Sequence, residues 1–524
     1  MDFTGVFMDY NSLGITSNFS AIDWAIVIGY LIFVVSVGVY IRRYIASVSD
    51  FMVAGRGLKT CLAVATMIGT ELGLITVVYA AQKGFTGGFA AFHIAFMAAL
   101  ATLIVGLSGF IVVPLRRLNV MTIPEFYEKR YGRNVRILGG IILAMSGILN
   151  MGMFLKAGSL FVTGITGLTS DTELKLIMTA LLLMVLLYTV LGGMVSVVIL
   201  DYIQFVVLSF SLLAGCIMSI KYLGWNNIIE TIKIAQGEGG FNPVINEGFG
   251  WRYIVWMFII AFVGASTWQT AVIRACSAES VKVVKKLYIW SSVGYLIRFL
   301  LPYFFGISAF VFIYKNDTLR QVFMPETGEV DPQLTLMAMP IYLSQILPAG
   351  FIGVITAGMM AAFMSTHDSY LLCWSSVLTQ DVVAPCFKNG LSGKTRLLLT
   401  RIFIVVIGIF ILIWGLWYPL GQDLWDYMAI SAAIYYAGAL SLLGFGLYWK
   451  RSSKVGAYLS LMCGFAALLG LSPVQKFFGT PEWSGATVGL TVFITSAVLM
   501  VLGSLLFPDK KPAFDYKEHY IDEE

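Results

Sequence analysis

Polar residues divide this chain into about thirteen apolar runs of some 20 residues each. They fall near 22–43, 60–82, 88–115, 135–166, 173–192, 194–221, 252–274, 286–314, 343–378, 398–418, 424–448, 455–473 and 486–507. A run of that length crosses a hydrocarbon core as a helix. None shows the period-two alternation of a membrane β-strand. The predicted fold is therefore an all-α polytopic membrane protein, with residues 1–524 forming one transmembrane body in a lipid bilayer.

Composition removes the alternatives. Of 524 residues, 58% are hydrophobic and 12% charged, about half the charge of a globular chain. That charge does not cover the roughly three soluble domains this length would otherwise imply. The six cysteines are scattered, with no disulfide or metal spacing. The first 20 residues lack the basic start of a cleavable leader. No nucleophile–base pair or metal-ligand set stands out, so an enzyme is not expected.

Charge also sets an orientation. With the N-terminus outside, 23 Lys and Arg residues, Arg274 among them, fall in inside segments and 8, Lys83 among them, in outside ones, out of 34. The positive-inside bias then predicts a cytoplasmic C-terminus in the cell membrane. A net charge of +5 is ordinary for such loops and gives no reason to expect nucleic acid. Oligomeric state leaves no mark on the sequence.

Ionisable residues within spans are costly and are functional candidates. Here they are Glu71, His93, Lys156, Asp201, Arg298, His367 and Asp368. On a helix, Ser365, Asp368 and Ser369 share a face, with Thr366 beside them. Hydroxyls and a carboxylate make a hard-oxygen surface suited to a small cation. The alternative is an interhelical hydrogen-bond patch, which accounts for the hydroxyls but not the carboxylate. In the second run, Gly69-Thr70-Glu71-Leu72-Gly73 sets two glycines and a carboxylate at mid-membrane. A break there would offer carbonyl oxygens to a cation and half-helix ends to a solute. A close-packing face of small residues is the other reading.

Four motifs carry a resemblance to a known family. They are Thr122-Ile123-Pro124-Glu125-Phe126 with Lys129-Arg130-Tyr131; Tyr188 through Gly192-Gly193 to Asp201 and Gln204; Ala361-Ala362 to Ser365-Thr366; and Gly446-Leu447-Tyr448-Trp449-Lys450-Arg451. Spread over about 50–457, they resemble the sodium/solute symporter family of sodium–glucose, sodium–proline, sialic acid and choline transporters. The resemblance implies a leucine-transporter-like fold of two inverted five-helix repeats, at about 58–221 and 251–450. One extra helix precedes them (22–43) and two follow (455–473 and 486–507).

Site residues follow from the same resemblance. The common sodium site maps to the carbonyls of Gly69, Leu72 and Ala362 with the hydroxyls of Ser365 and Thr366. A second cation or proton site maps to Asp201, Ser365, Asp368 and Ser369. The choline branch resembles this chain at Asp368, where many relatives carry a hydroxyl or apolar residue. Arg298 matches a sugar-contacting basic residue, and Trp268-Gln269 matches the unwound sixth core helix. Glu71, Thr76, His93 and Lys156 fall near the solute, with Lys156 placed either to pair with Glu71 in the empty site or to bind a solute carboxylate. The expected activity is sodium-coupled uptake of a small polar solute, whether amino acid, sugar, carboxylate or quaternary amine. Proton coupling through Asp368, Glu71 or His367 keeps the fold with a different ion. A transporter-like solute sensor is the remaining alternative.

Overall fold

The computed structural model describes residues 17–41, 56–168, 170–325, 332–387, 390–418, 422–479 and 483–509. Among them regular structure is helical, apart from one isolated parallel bridge between Leu58 and Ala278. Among the described residues, nine helices are long and apolar enough to cross a membrane, or ten if the pair Lys454–Gly470 and Ser472–Phe478, bent by 89°, is one span. The chain is a multi-pass membrane protein on this count.

The helices that build the site are α1 Ala21–Ile41, α2 Thr60–Glu71, α3 Leu74–Gly87, α4 Phe92–Ser108, α5 Ile123–Tyr131, α6 Arg133–Met151, α7 Phe154–Thr166 and α8 Asp171–Leu223. They continue as α9 Gly250–Thr267, α10 Gln269–Ser277, α11 Val281–Tyr314, α12 Pro332–Ile346, α13 Phe351–Val377, α14 Gly393–Trp417, α15 Leu424–Tyr448, α16 Lys454–Cys463 and α17 Gly485–Leu506.

Two spans are broken in mid-bundle. The first breaks at Leu72-Gly73, where Leu72 takes φ −92, ψ 61 and Gly73 takes φ −78, ψ 165. The second breaks at Trp268, which is extended at φ −77, ψ 125 between α9 and α10. The free ends of α2 and α10 meet at the Leu58–Ala278 bridge, through Leu58 N–H to Ser277 O (3.1 Å) and Glu279 N–H to Leu58 O (3.1 Å). Irregular backbone at this depth is tolerated where it lines a cavity or is buried in protein.

Several expected boundaries differ. The runs 173–192 and 194–221 fall within one continuous helical stretch, α8, of 53 residues, with the backbone still helical at Gly192-Gly193. A straight helix of 53 residues would be about 80 Å long at 1.5 Å per residue, against about 30 Å for one crossing. The run 343–378 holds the end of α12 and all of α13, parted at Pro348–Gly350, where Gly350 takes φ +84. The run 135–166 is interrupted at Gly152-Met153; the Trp414 indole sits where a Cβ on Gly152 would go.

The tightest helix contact joins α3 to α11. A Cβ on Gly84 would overlap the Tyr303 carbonyl, and one on Gly306 would overlap the Ala81 carbonyl. Neither obstacle is a side chain that swings away. Gly306→Ala is expected to lose about 1–3 kcal/mol or more, read as a fall in the melting temperature of the detergent-purified protein.

Candidate functional site

Four helices meet at Asp201 on α8, which is fully buried. Its Oδ2 accepts from Thr66 Oγ1 (2.6 Å) and Thr70 Oγ1 (2.9 Å), both on α2, and from Arg274 Nη2 (3.3 Å) on α10. Its Oδ1 accepts from the Ser365 hydroxyl on α13. The Arg274 guanidinium, 1% exposed, also donates to Thr66 (3.2 Å), the Thr270 carbonyl (2.8 Å), Ser369 (3.0 Å) and the Thr70 hydroxyl. Buried opposite charges are stable only when each is hydrogen-bonded as well as paired, and here both are.

The Arg274 pairing changes the reading of the expected second cation site. Asp201, Ser365 and Ser369 do come together, but a guanidinium lies among them. Asp368 is buried one helical turn beyond Ser365 on α13. The charge count placed Arg274 in an inside loop; the structure puts it within the bundle.

Just beside this cluster, the break in the first span abuts α13. The Thr366 hydroxyl donates to the Thr70 carbonyl at 3.0 Å. A Cβ on residue 73 would overlap Thr366 Oγ1, which is why glycine stands there. A Cβ on Gly69 would come within 3.2 Å of the Asp201 carbonyl. Gly69, Leu72, Ala362, Ser365 and Thr366 are all buried at this seam.

A cavity of about 130 Å³ opens next to the seam. Glu71, Trp268 and Arg298 line it, among aromatic walls that include Tyr295, Tyr370 and Tyr436. Trp268 Nε1 donates to Tyr370 Oη (3.1 Å), and its ring meets Tyr436 edge-on at 5.2 Å. Four other expected solute residues lie outside the cavity wall. Thr76 caps the Glu71 carbonyl (2.9 Å). His93 Nδ1 is 2.7 Å from the Ala90 carbonyl, with its ring against Phe249. Gln269 Oε1 accepts from Ile123 N–H (2.9 Å). Lys156 donates to the Tyr418 carbonyl (3.4 Å), while the Glu71 carboxylate faces Arg298 at 3.7 Å and accepts from Thr270 (2.7 Å). The expected Lys156–Glu71 pair is thus replaced by an Arg298–Glu71 pair.

Toward the Gly87 end of α3, rings and then charges cover the cavity. Tyr79 and Trp425 lie 4.5 Å apart, and Phe299 is 5.8 Å from Trp425. One helical turn beyond Tyr79, Lys83 pairs with Asp423 (2.6 Å) and Asp426 (3.0 Å). Tyr253 Oη donates to Asp426 (3.1 Å). Lys83 was expected in an outside loop, yet it is 4% exposed. At the opposite end, Arg136 Nε and the Thr122 hydroxyl both donate to Asp381 (2.9 Å each).

This arrangement of broken spans, hydroxyl seam and aromatic cavity is that of a solute transporter. The "Sodium:solute symporter family" profile matches residues 51–464, and the chain belongs to that family. It is 24% identical over 487 residues to the sodium/glucose cotransporter of Vibrio parahaemolyticus, covering 88% of this chain and 87% of that one. It is also 24% identical over 476 residues to the sodium/sialic acid symporter of Proteus mirabilis, covering 88% and 92%. A solved substrate-bound, outward-open Na⁺-coupled sialic acid symporter shares the fold at a TM-score of 0.79 and 20% identity, over 95% of this chain and 99% of that one. That fold is the leucine-transporter-like one the motifs imply. These relatives are transporters, not enzymes, and the family is sodium-coupled.

Proposed function

We propose that this chain is a secondary active symporter that couples inward sodium flow to uptake of a small polar organic solute by alternating access. One observation carries the reading. Glu71, in the cavity wall, is followed directly by the Leu72-Gly73 break, and that break rests on Thr366. Solute and ion would therefore act on the same few backbone atoms. Sodium held by the carbonyls of Gly69, Leu72 and Ala362 with Ser365 and Thr366 would fix the break against α13. That would bias which access state is populated, as linkage requires.

Several finer points belong to this reading. The coupling ion is a single sodium, because Arg274 supplies a tethered positive charge beside Asp201. The whole chain works as one body of about thirteen crossings, which requires the chain to reverse within α8 so that 173–192 and 194–221 cross separately. Its inverted repeats cover about 58–221 and 251–450, with the N-terminus outside and the C-terminus cytoplasmic. Sodium entry is worth about 2.3 kcal/mol per 100 mV from the membrane potential.

The test is the melting temperature and solute uptake of the full-length protein in sodium and in potassium at fixed pH. Sodium is expected to stabilise the wild type, and Thr366→Ala to lose most of that shift. Equal uptake and equal melting temperature in sodium and potassium would overturn sodium coupling, and uptake in potassium that then rises as the outside pH is lowered would leave proton symport.

A further inference from the structure

The cavity contains two charges of opposite sign, and neither is fully satisfied by the protein. Among the described residues that line it, Glu71 and Arg298 are the only charged ones. They face each other at 3.7 Å, beyond hydrogen-bond range. Arg298 is 6% exposed, and its Nε and Nη1 have no hydrogen-bond partner. The guanidinium is clamped between the rings of Tyr295 (4.3 Å) and Phe299 (4.5 Å), so it is held in place without being saturated. Glu71 keeps one oxygen on Thr270 and turns the other toward Arg298.

Buried donors left open favour an acceptor that brings charge with it. A lone anion would suit Arg298 but meet Glu71, and a lone cation would meet the reverse. A neutral polyol would satisfy donors without matching either charge. A solute carrying both charges close together matches both at once. The short gap between the two protein charges calls for an ammonium and a carboxylate on neighbouring atoms. The cavity volume of about 130 Å³ sets the size. An apolar cavity near 150 Å³ holds a molecule like benzene, so this cavity fits a solute of a few heavy atoms better than a hexose. Trp268, Tyr370 and Tyr436 provide apolar walls for a short side chain.

We infer that the transported solute is a small neutral α-amino acid, with its carboxylate on Arg298 and its ammonium on Glu71. This inference deepens the symport reading above and rests on it for the direction of transport. It does not rest on it for binding.

The test uses the purified full-length chain, with glycine, L-alanine, L-serine and L-proline as probes. Propionate, ethylamine and glucose serve as controls, each in sodium and again in potassium. At least one amino acid is expected to raise the melting temperature in sodium, while the controls do not. Glu71→Gln and Arg298→Gln are each expected to raise that amino acid's half-saturating concentration by more than about tenfold. Both are expected to elute as the monodisperse wild-type peak on size-exclusion chromatography, which shows that the variants are folded. An equal response to glucose or propionate overturns the assignment. So does an unchanged half-saturation in both variants, or the failure of every amino acid to act. A sodium shift with no amino-acid response removes this inference and leaves symport standing. An amino-acid response identical in potassium and sodium does the opposite.

Discussion

Arg274→Ala is expected to cost about 3–5 kcal/mol, the usual result of removing one partner of a buried ion pair. Total stability of a domain is about 5–15 kcal/mol, so a large share of that margin is lost and the folded, monodisperse fraction on size-exclusion chromatography should fall. The cause is Asp201. It has no exposed surface, and after the substitution only neutral hydroxyls would face its charge. The double variant Arg274→Met with Asp201→Asn removes both charges and is expected to recover much of the yield. Sodium gives a further readout. If the guanidinium stands in for a second ion, surviving Arg274→Ala protein should be stabilised more by sodium than the wild type is. Equal sodium shifts in the two proteins would argue against that substitution of ion by side chain.

Lys83→Met is expected to open the cavity toward the Gly87 end of α3. The substitution leaves Asp423 and Asp426 side by side without their shared cation. Both carboxylates are partly exposed, at 26% and 30%, so water screens part of the loss. An opening penalty reduced by about 1.4 kcal/mol corresponds to a tenfold rise in the open population. The measurement is the rate at which a membrane-impermeant thiol reagent modifies Cys placed at Ala98, in protein lacking Cys61 and Cys386. Ala98 lines the cavity. A rate unchanged by Lys83→Met would show that the rings of Tyr79, Phe299 and Trp425 close the path without help from charge.

Local patterns in the sequence located most of the spans and the first break, and the family resemblance supplied the second. Gly69 and Gly73 flank a carboxylate, whereas Trp268 was placed by its match to the family's unwound sixth core helix. The serine and threonine face of α13 was likewise visible from helical spacing. What was missed depends on pairs distant in the chain. Lys83 meets Asp423 across 340 residues, and Arg274 meets Asp201 across 73. A charge count treats any Lys or Arg at the edge of a run as solvated, which is how both entered the loop tally. A better signal for Arg274 was available, because a mid-span aspartate needs a counter-charge within the bundle. Arg298, by contrast, was read as a solute contact, while its partner Glu71 was assigned to Lys156. Nothing in the spacing of Glu71, Lys156 and Arg298 decides between the two bases; the packing of α11 against α3 does.

The backbone contact of Gly84 with Tyr303 and of Gly306 with Ala81 limits how the molecule can move. Peptide groups in direct contact leave no lubricating layer of side chains, so α3 and α11 cannot slide or separate without a large loss of packing. They behave as one plank. Tyr79 and Phe299 ride on that plank, whereas Trp425 and the two carboxylates that hold Lys83 belong to α15 and the turn before it. Entry from that side therefore requires a crack between the plank and α15, with bending concentrated at Leu72-Gly73, the point that the ion is proposed to grip.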